Sequence, residues 1–222
     1  MILDIVFSAS LINTIRYTTL KGFDFMKQLN RQGITLALIL TAALTSGTSH
    51  GQGQTTELPF NYLQQGRDIA LLAKSELGGQ LKQVMSRGGP TAAVEFCNEN
   101  ALPITRSVST EAGALISRVS DRPRNPANGA NASELAYIAT AKSLLASGKP
   151  VKPSLQDING RKVGFYPIVT SGTCLLCHGD ETSQISPDTL SVIDALYPDD
   201  QATGYGLEEL RGIFVVSMEA EG

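Results

Sequence analysis

The sequence predicts an α+β fold, and three observations carry that expectation. Apolar residues recur near the helical period through Leu63, Ile69, Leu72, Ala73, Leu77, Leu81 and Val84. Two later segments, residues 162–170 and 210–218, read as strands, with Val163, Phe165, Pro167 and Val169 alternating in the first and Gly212-Ile213-Phe214-Val215-Val216 forming the second. An Asn159-Gly160 pair ahead of the first strand is the turn signal of a β-hairpin.

Before these elements comes a targeting segment. Met26-Lys27-Gln28-Leu29-Asn30-Arg31 is a short basic region, and Ile34 to Leu44 is an apolar run of signal-peptide length, too short for a comfortable membrane span. Small residues follow, so cleavage is expected near Gly51, with Thr45-Ser46-Gly47 as the alternative. Residues 1–25 resemble no standard leader and are expected to be an over-extended start, with Met26 the true one. The expected organisation is therefore 1–25 extension, 26–51 signal peptide, 52–58 polar linker and 59–222 one domain. The chain has 18 basic and 21 acidic residues. Removing 1–51 takes four basic residues (Arg16, Lys21, Lys27, Arg31) and two acidic ones (Asp4, Asp24), so the net charge moves from −3 to −5. No basic patch with interleaved aromatics suggests nucleic acid, and an acidic surface disfavours adhesion to anionic membranes. The exported form is expected to be periplasmic with no stable membrane span.

The first helix is expected over 59–87, with Gly78-Gly79 breaking or kinking it, since glycine costs helix stability. Gly88-Gly89-Pro90 stops it and starts a second helix over 90–100, with Pro90 at the first position. Ala93, Cys97 and Ala101 fall on one face of that helix. Pro103 is expected to bend the chain into an irregular helical stretch ending at Ser109. Residues 117–131 read as a strand-like piece entering a proline-punctuated loop that carries Arg118, Arg122 and Arg124. Asn131-Ala132-Ser133-Glu134 is a capping box opening a helix to Ala146, which Gly148 and Pro150 end. After the 162–170 strand, residues 180–196 are loop and short helix. Tyr197-Pro198-Asp199-Asp200 and Gly204-Tyr205-Gly206 are turns.

Chemistry concentrates in Cys174-Leu175-Leu176-Cys177-His178. This is C-x-x-C-H, the attachment signature of c-type haem. Two thiols on one tight turn reach the two vinyl groups of a porphyrin edge, and the adjacent imidazole holds the iron. A zinc site would need two more ligands, yet only one further cysteine exists and His50 lies in the expected leader. The cofactor read here is a single covalently attached haem c, bound through Cys174 and Cys177, with His178 as the proximal ligand. Arg118, Arg122 and Arg124 are candidates to clamp the propionates, because guanidinium offers planar paired donors to carboxylates. With the leader gone, His178 is the only histidine, which removes bis-histidine ligation. Cys97, Met85, Met218, a lysine, a tyrosine or an open position remain for the sixth site. Cys97 is the odd thiol of a chain expected to be exported, either buried and inert, used between chains, or used chemically.

Several motifs fall in a familiar order. They are Gly88-Gly89-Pro90 with Cys97-Asn98-Glu99, Arg124-Asn125-Pro126 with Asn128, Tyr166-Pro167-Ile168 before the haem motif, Tyr197-Pro198 with Asp200, Ala202 and Gly204-Tyr205, and Leu210-Arg211-Gly212. The chain thereby resembles the Tll0287-like haem domain family. The resemblance covers most of the region after the leader. It implies a PAS-like antiparallel sheet flanked by helices, and one c-type haem with His178 and Cys97 as axial ligands. It also implies redox sensing.

The expected function is accordingly an exported mono-haem redox protein, a sensor or an electron carrier with an unidentified redox partner. A thiolate ligand lowers the reduction potential relative to methionine. A haem enzyme or gas-binding module with an open or displaceable distal ligand is the alternative. No catalytic role is expected, since peroxidase-like chemistry needs acid–base groups on that face and no second histidine remains to supply one.

Overall fold

The computed structural model describes residues 61–220, all within one compact unit, Thr56–Gly222. The expected extension, signal peptide and linker lie outside the described residues. Helix α1 spans Tyr62–Ala112, β1 Leu115–Val119, α2 Ala132–Ala146, β2 Ser154–Ile158 and β3 Arg161–Val169. Helix α3 spans Gly172–His178, α4 Pro187–Leu196 and β4 Leu210–Glu219, and a 3₁₀ turn covers Pro126–Asn128. The four strands form one antiparallel sheet in the order β1-β4-β3-β2. The fold class is α+β, as expected.

The central strand β4 explains the architecture. Its apolar run is continuous because both faces are covered. Phe214, Val216 and Met218 pack under α1 with Ala70, Ala73 and Val108. Leu210, Ile213 and Val215 lie on the other face with Val163, Phe165 and the α2 residues Ile138 and Ala141. Alternation at period 2 over residues 213–218 sends each set to its own helix, and the register shift opposite Ile168 and Val169 brings Leu210 to the side of Ile213 and Val215. Burying side chains of this size contributes about 1.5–3 kcal/mol each.

Two helix expectations need correction. Gly78-Gly79 neither breaks nor kinks α1, and Pro103 does not bend the chain into an irregular stretch, since the helix runs regularly past it to Ala112. The one non-helical residue is Gly89, with φ 68° and ψ −166°, directly before Pro90. Residues 62–88 and 90–112 are therefore two limbs of a bent helix, and packing of Ala70, Ala73, Leu77, Val94, Ala101 and Val108 overrides the local penalties. Met218 is 3% exposed within the α1–sheet core and does not line the cavity that Cys97 and His178 share.

Other expectations hold. The α2 capping box is complete: Asn131 Oδ1 accepts from the Ser133 and Glu134 amides, and the Asn131 amide donates to Glu134 Oε2 at 2.8 Å. Asn159 and Gly160 both have positive φ, 52° and 76°, and turn β2 into β3. The chain leaves β3 at Thr170, whose amide donates to Glu209 O at 2.9 Å and whose Oγ1 accepts from the Glu209 amide at 2.9 Å. That anchor fixes where α3 begins.

Candidate haem site

Helix α3 carries Cys174 and Cys177 one turn apart and ends on His178. A side chain at Gly179 would collide with Gln184 and with the Leu175 carbonyl, so glycine lets the chain turn away directly after His178. The three residues line a cavity of about 340 Å³. The bent α1 forms much of its wall: Leu77, Gly78, Leu81 and Met85 come from the first limb, and Ala93, Cys97 and Ala101 from the second. The face expected from the sequence, Ala93-Cys97-Ala101, is thus the one the cavity meets. Arg118, Arg124 and Arg211 reach the same space from β1, the loop after it, and β4.

All three cysteines are free thiols. Burial pushes the Cys97 thiol above its ordinary value, and Arg118 and then Arg124 pull it partly back. Burial likewise raises Cys177, to about 11. These environments favour the protonated thiol until a bond to carbon or to a metal replaces the proton.

The His178 ring is held by its Nδ1, which lies 2.7 Å from the Ala202 carbonyl oxygen. Arg211 Nε is 3.3 Å from the same nitrogen. Nδ1 cannot donate to the carbonyl and also accept from the guanidinium. The shorter distance decides, because a carbonyl can only accept: Nδ1 carries the proton and Nε2 keeps its lone pair for a metal. Burial, followed by the charges of Arg211 and Arg124, holds His178 well below the ordinary imidazole range, so it is neutral.

A network beneath α3 fixes this geometry. Arg124 Nη2 donates to Cys177 O at 2.5 Å and to Asp200 Oδ2 at 3.1 Å, and Nε reaches the same oxygen at 3.2 Å. Asp200 Oδ1 in turn accepts the Ala202 amide at 2.8 Å, and Ala202 O holds His178. The Tyr205 amide donates to His178 O at 2.9 Å, and the Gly204 amide to Gly179 O at 2.7 Å.

The three expected arginines separate into different roles. Arg118 lines the cavity and has no ion pair among the described residues. Arg124 also lines it but is committed to Asp200 and the Cys177 carbonyl. Arg122 does not line it, which corrects the expectation that it clamps a cofactor: it donates to the Gln201 and Thr203 carbonyls and stacks 4.4 Å from the Tyr205 ring centroid. Its work is to brace two loops. Arg211, which sequence reasoning noted only within a motif, joins the site instead. Met85 lines the cavity beside Cys97, and no second histidine does so among the described residues.

The lining fits a haem. Its walls are largely apolar, one thiol pair sits on one helix turn, and an imidazole nitrogen and a separate thiol serve the same space. Arg118 and Arg211 have no carboxylate within ion-pair distance among the described residues. The half-buried Arg118 guanidinium, which lines the cavity, calls for an anionic partner, which propionates would supply.

Comparison with known proteins bears on the fold and the family. No curated protein matches the chain. The crystal structure of the cyanobacterial haem protein Tll0287 is similar at a TM-score of 0.55 and 18% identity, covering 73% of this chain and 98% of that one. At that identity the likeness shows the fold. Residues 26–219 match the Tll0287-like family, and the chain belongs to that family.

Proposed function

We propose that this protein is an exported, periplasmic redox protein that carries one covalently attached haem c, bound through Cys174 and Cys177 and ligated by His178 and Cys97. The observation that carries the reading is the convergence of His178, Cys97 and both motif thiols on one cavity. Haem iron supplies one-electron chemistry at such a site. The chain's own residues do the rest. Ala202 fixes the tautomer of His178, Arg124 ties the motif to Asp200, and Arg118 supplies the charge that acidic substituents need. The apolar limb residues Leu77 and Leu81 exclude water.

Sensing or electron transfer is the role this supports, with the redox partner identified by neither geometry nor motif. Cys97 sits on the second limb of α1, eight residues past the bend at Gly89. A ligand that stays bound in both oxidation states suits a carrier. One that leaves on reduction would let that limb move, as a sensor requires. Comparing ferric and ferrous ligation separates the two. The ligand assignment itself is tested by the ferric absorption and EPR spectra of Cys97→Ala. Low-spin thiolate features should vanish, and their persistence would show that another group holds the sixth position.

A further inference from the structure

Arg211 is partly buried, with Nε 3.3 Å from His178 Nδ1 and Nη1 donating to Arg122 O at 3.2 Å. Its guanidinium lies over the Tyr205 ring at 5.4 Å, and His178 meets the same ring edge-on at 6.4 Å and 86°. Gly212 next to it has no room for a side chain, because a Cβ there would strike the Val119 carbonyl. That close approach of β4 to β1 fixes the backbone from which Arg211 extends. Tyr205 is 2% exposed and backs the guanidinium. Asp200, whose charge also acts on Arg211, is engaged by Arg124 at 3.1 Å. Arg211 therefore holds its positive charge against the imidazole with no ion-pair partner among the described residues.

We infer that Arg211 is a positioning residue that tunes the iron through His178, raising the reduction potential against the lowering effect of the Cys97 thiolate. The inference rests on the haem reading above. Reduction adds one electron to the iron and makes or breaks no bond at Arg211. The reduced centre carries one positive charge fewer, so a fixed cation a few ångströms from its ligand favours it, and the low dielectric of the site strengthens the effect. The Nδ1–H bond to Ala202 is unaffected, since it does not use the guanidinium. Arg211 thus changes how readily the iron accepts an electron while leaving the ligand set alone.

The test is a dithionite-and-ferricyanide potentiometric titration of the holoprotein in four forms: wild type, Arg211→Gln, Arg211→Lys and the exposed-arginine control Arg106→Gln. Arg211→Gln should keep the wild-type ferric spectrum yet shift the reduction equilibrium about tenfold toward the ferric form, which is about 59 mV for one electron. Arg211→Lys should recover most of that shift, because it restores the charge without the fork. Arg106→Gln should leave the potential unchanged. Equal potentials for wild type and Arg211→Gln would overturn the inference, as would equal shifts in the Gln and Lys variants, which would make the role steric. Wild-type protein lacking covalent haem would instead overturn the reading beneath it. Should Arg211→Gln fail to mature, Arg211→Lys and Arg211→Met carry the same comparison.

Discussion

The Arg124–Asp200 pair makes a quantitative prediction. Its side chains are 10% and 9% exposed, so the small value of a surface ion pair does not apply. Removing either partner strands the other as a buried charge, which costs about 3–5 kcal/mol. Asp200→Ala loses two guanidinium bonds and the acceptor for the Ala202 amide. Arg124→Ala loses the same bonds and the donor to Cys177 O. The double variant strands no charge, so the two effects should fall short of adding by about 2 kcal/mol. Asp200→Asn keeps an oxygen for the Ala202 amide and should lie between wild type and Asp200→Ala. Urea unfolding followed by far-ultraviolet circular dichroism measures all four. In a domain of this size the single variants should also melt about 6–20 °C lower. Single variants within about 1 kcal/mol of wild type, or strict additivity in the double, would refute the claim that this pair anchors the haem motif.

Two further predictions concern packing and pH. A Cβ at Gly66 would strike the Tyr166 hydroxyl, which donates to Leu63 O at 3.0 Å. Gly66→Ala should therefore cost about 1–3 kcal/mol, and adding Tyr166→Phe should recover part of it; urea midpoints that show no recovery would place the strain elsewhere. His178 is held well below its ordinary value of 6.5. In haem-free Cys174→Ala/Cys177→Ala protein the unfolded chain then binds a proton below about pH 6.5 that the folded chain refuses. Stability should fall as pH drops from 6.5 to 5, by up to about 1.4 kcal/mol per unit. Adding His178→Gln should flatten that slope, and an unchanged slope would assign it to other groups.

Much of this was legible in the residues. The haem motif, the α2 capping box and the Asn159-Gly160 turn are local signals, and local chemistry decides them. The bend at Gly89-Pro90 was legible for the same reason. Gly78-Gly79 and Pro103 misled because their penalties are local, whereas the burial that keeps α1 helical comes from β4 and α4 far along the chain. Strand β2 was hidden: its alternation between half-buried and exposed positions leaves no strong apolar pattern. The arginines show the limit most clearly. Arg118, Arg122 and Arg124 look equivalent in sequence, yet a loop some 80 residues away claims Arg122 through the carbonyls of Gln201 and Thr203. Arg211 enters only because β4 lies beside β1, a pairing that joins residues almost a hundred positions apart.

The central claim is that Cys174 and Cys177 hold a haem covalently. Intact mass spectrometry of the protein, made in cells competent for c-type haem maturation, tests it most directly. The account predicts a gain of one haem that survives denaturation and acid–acetone extraction and is lost in Cys174→Ala/Cys177→Ala. A wild-type protein at its polypeptide mass, or pigment that extracts freely, would contradict it.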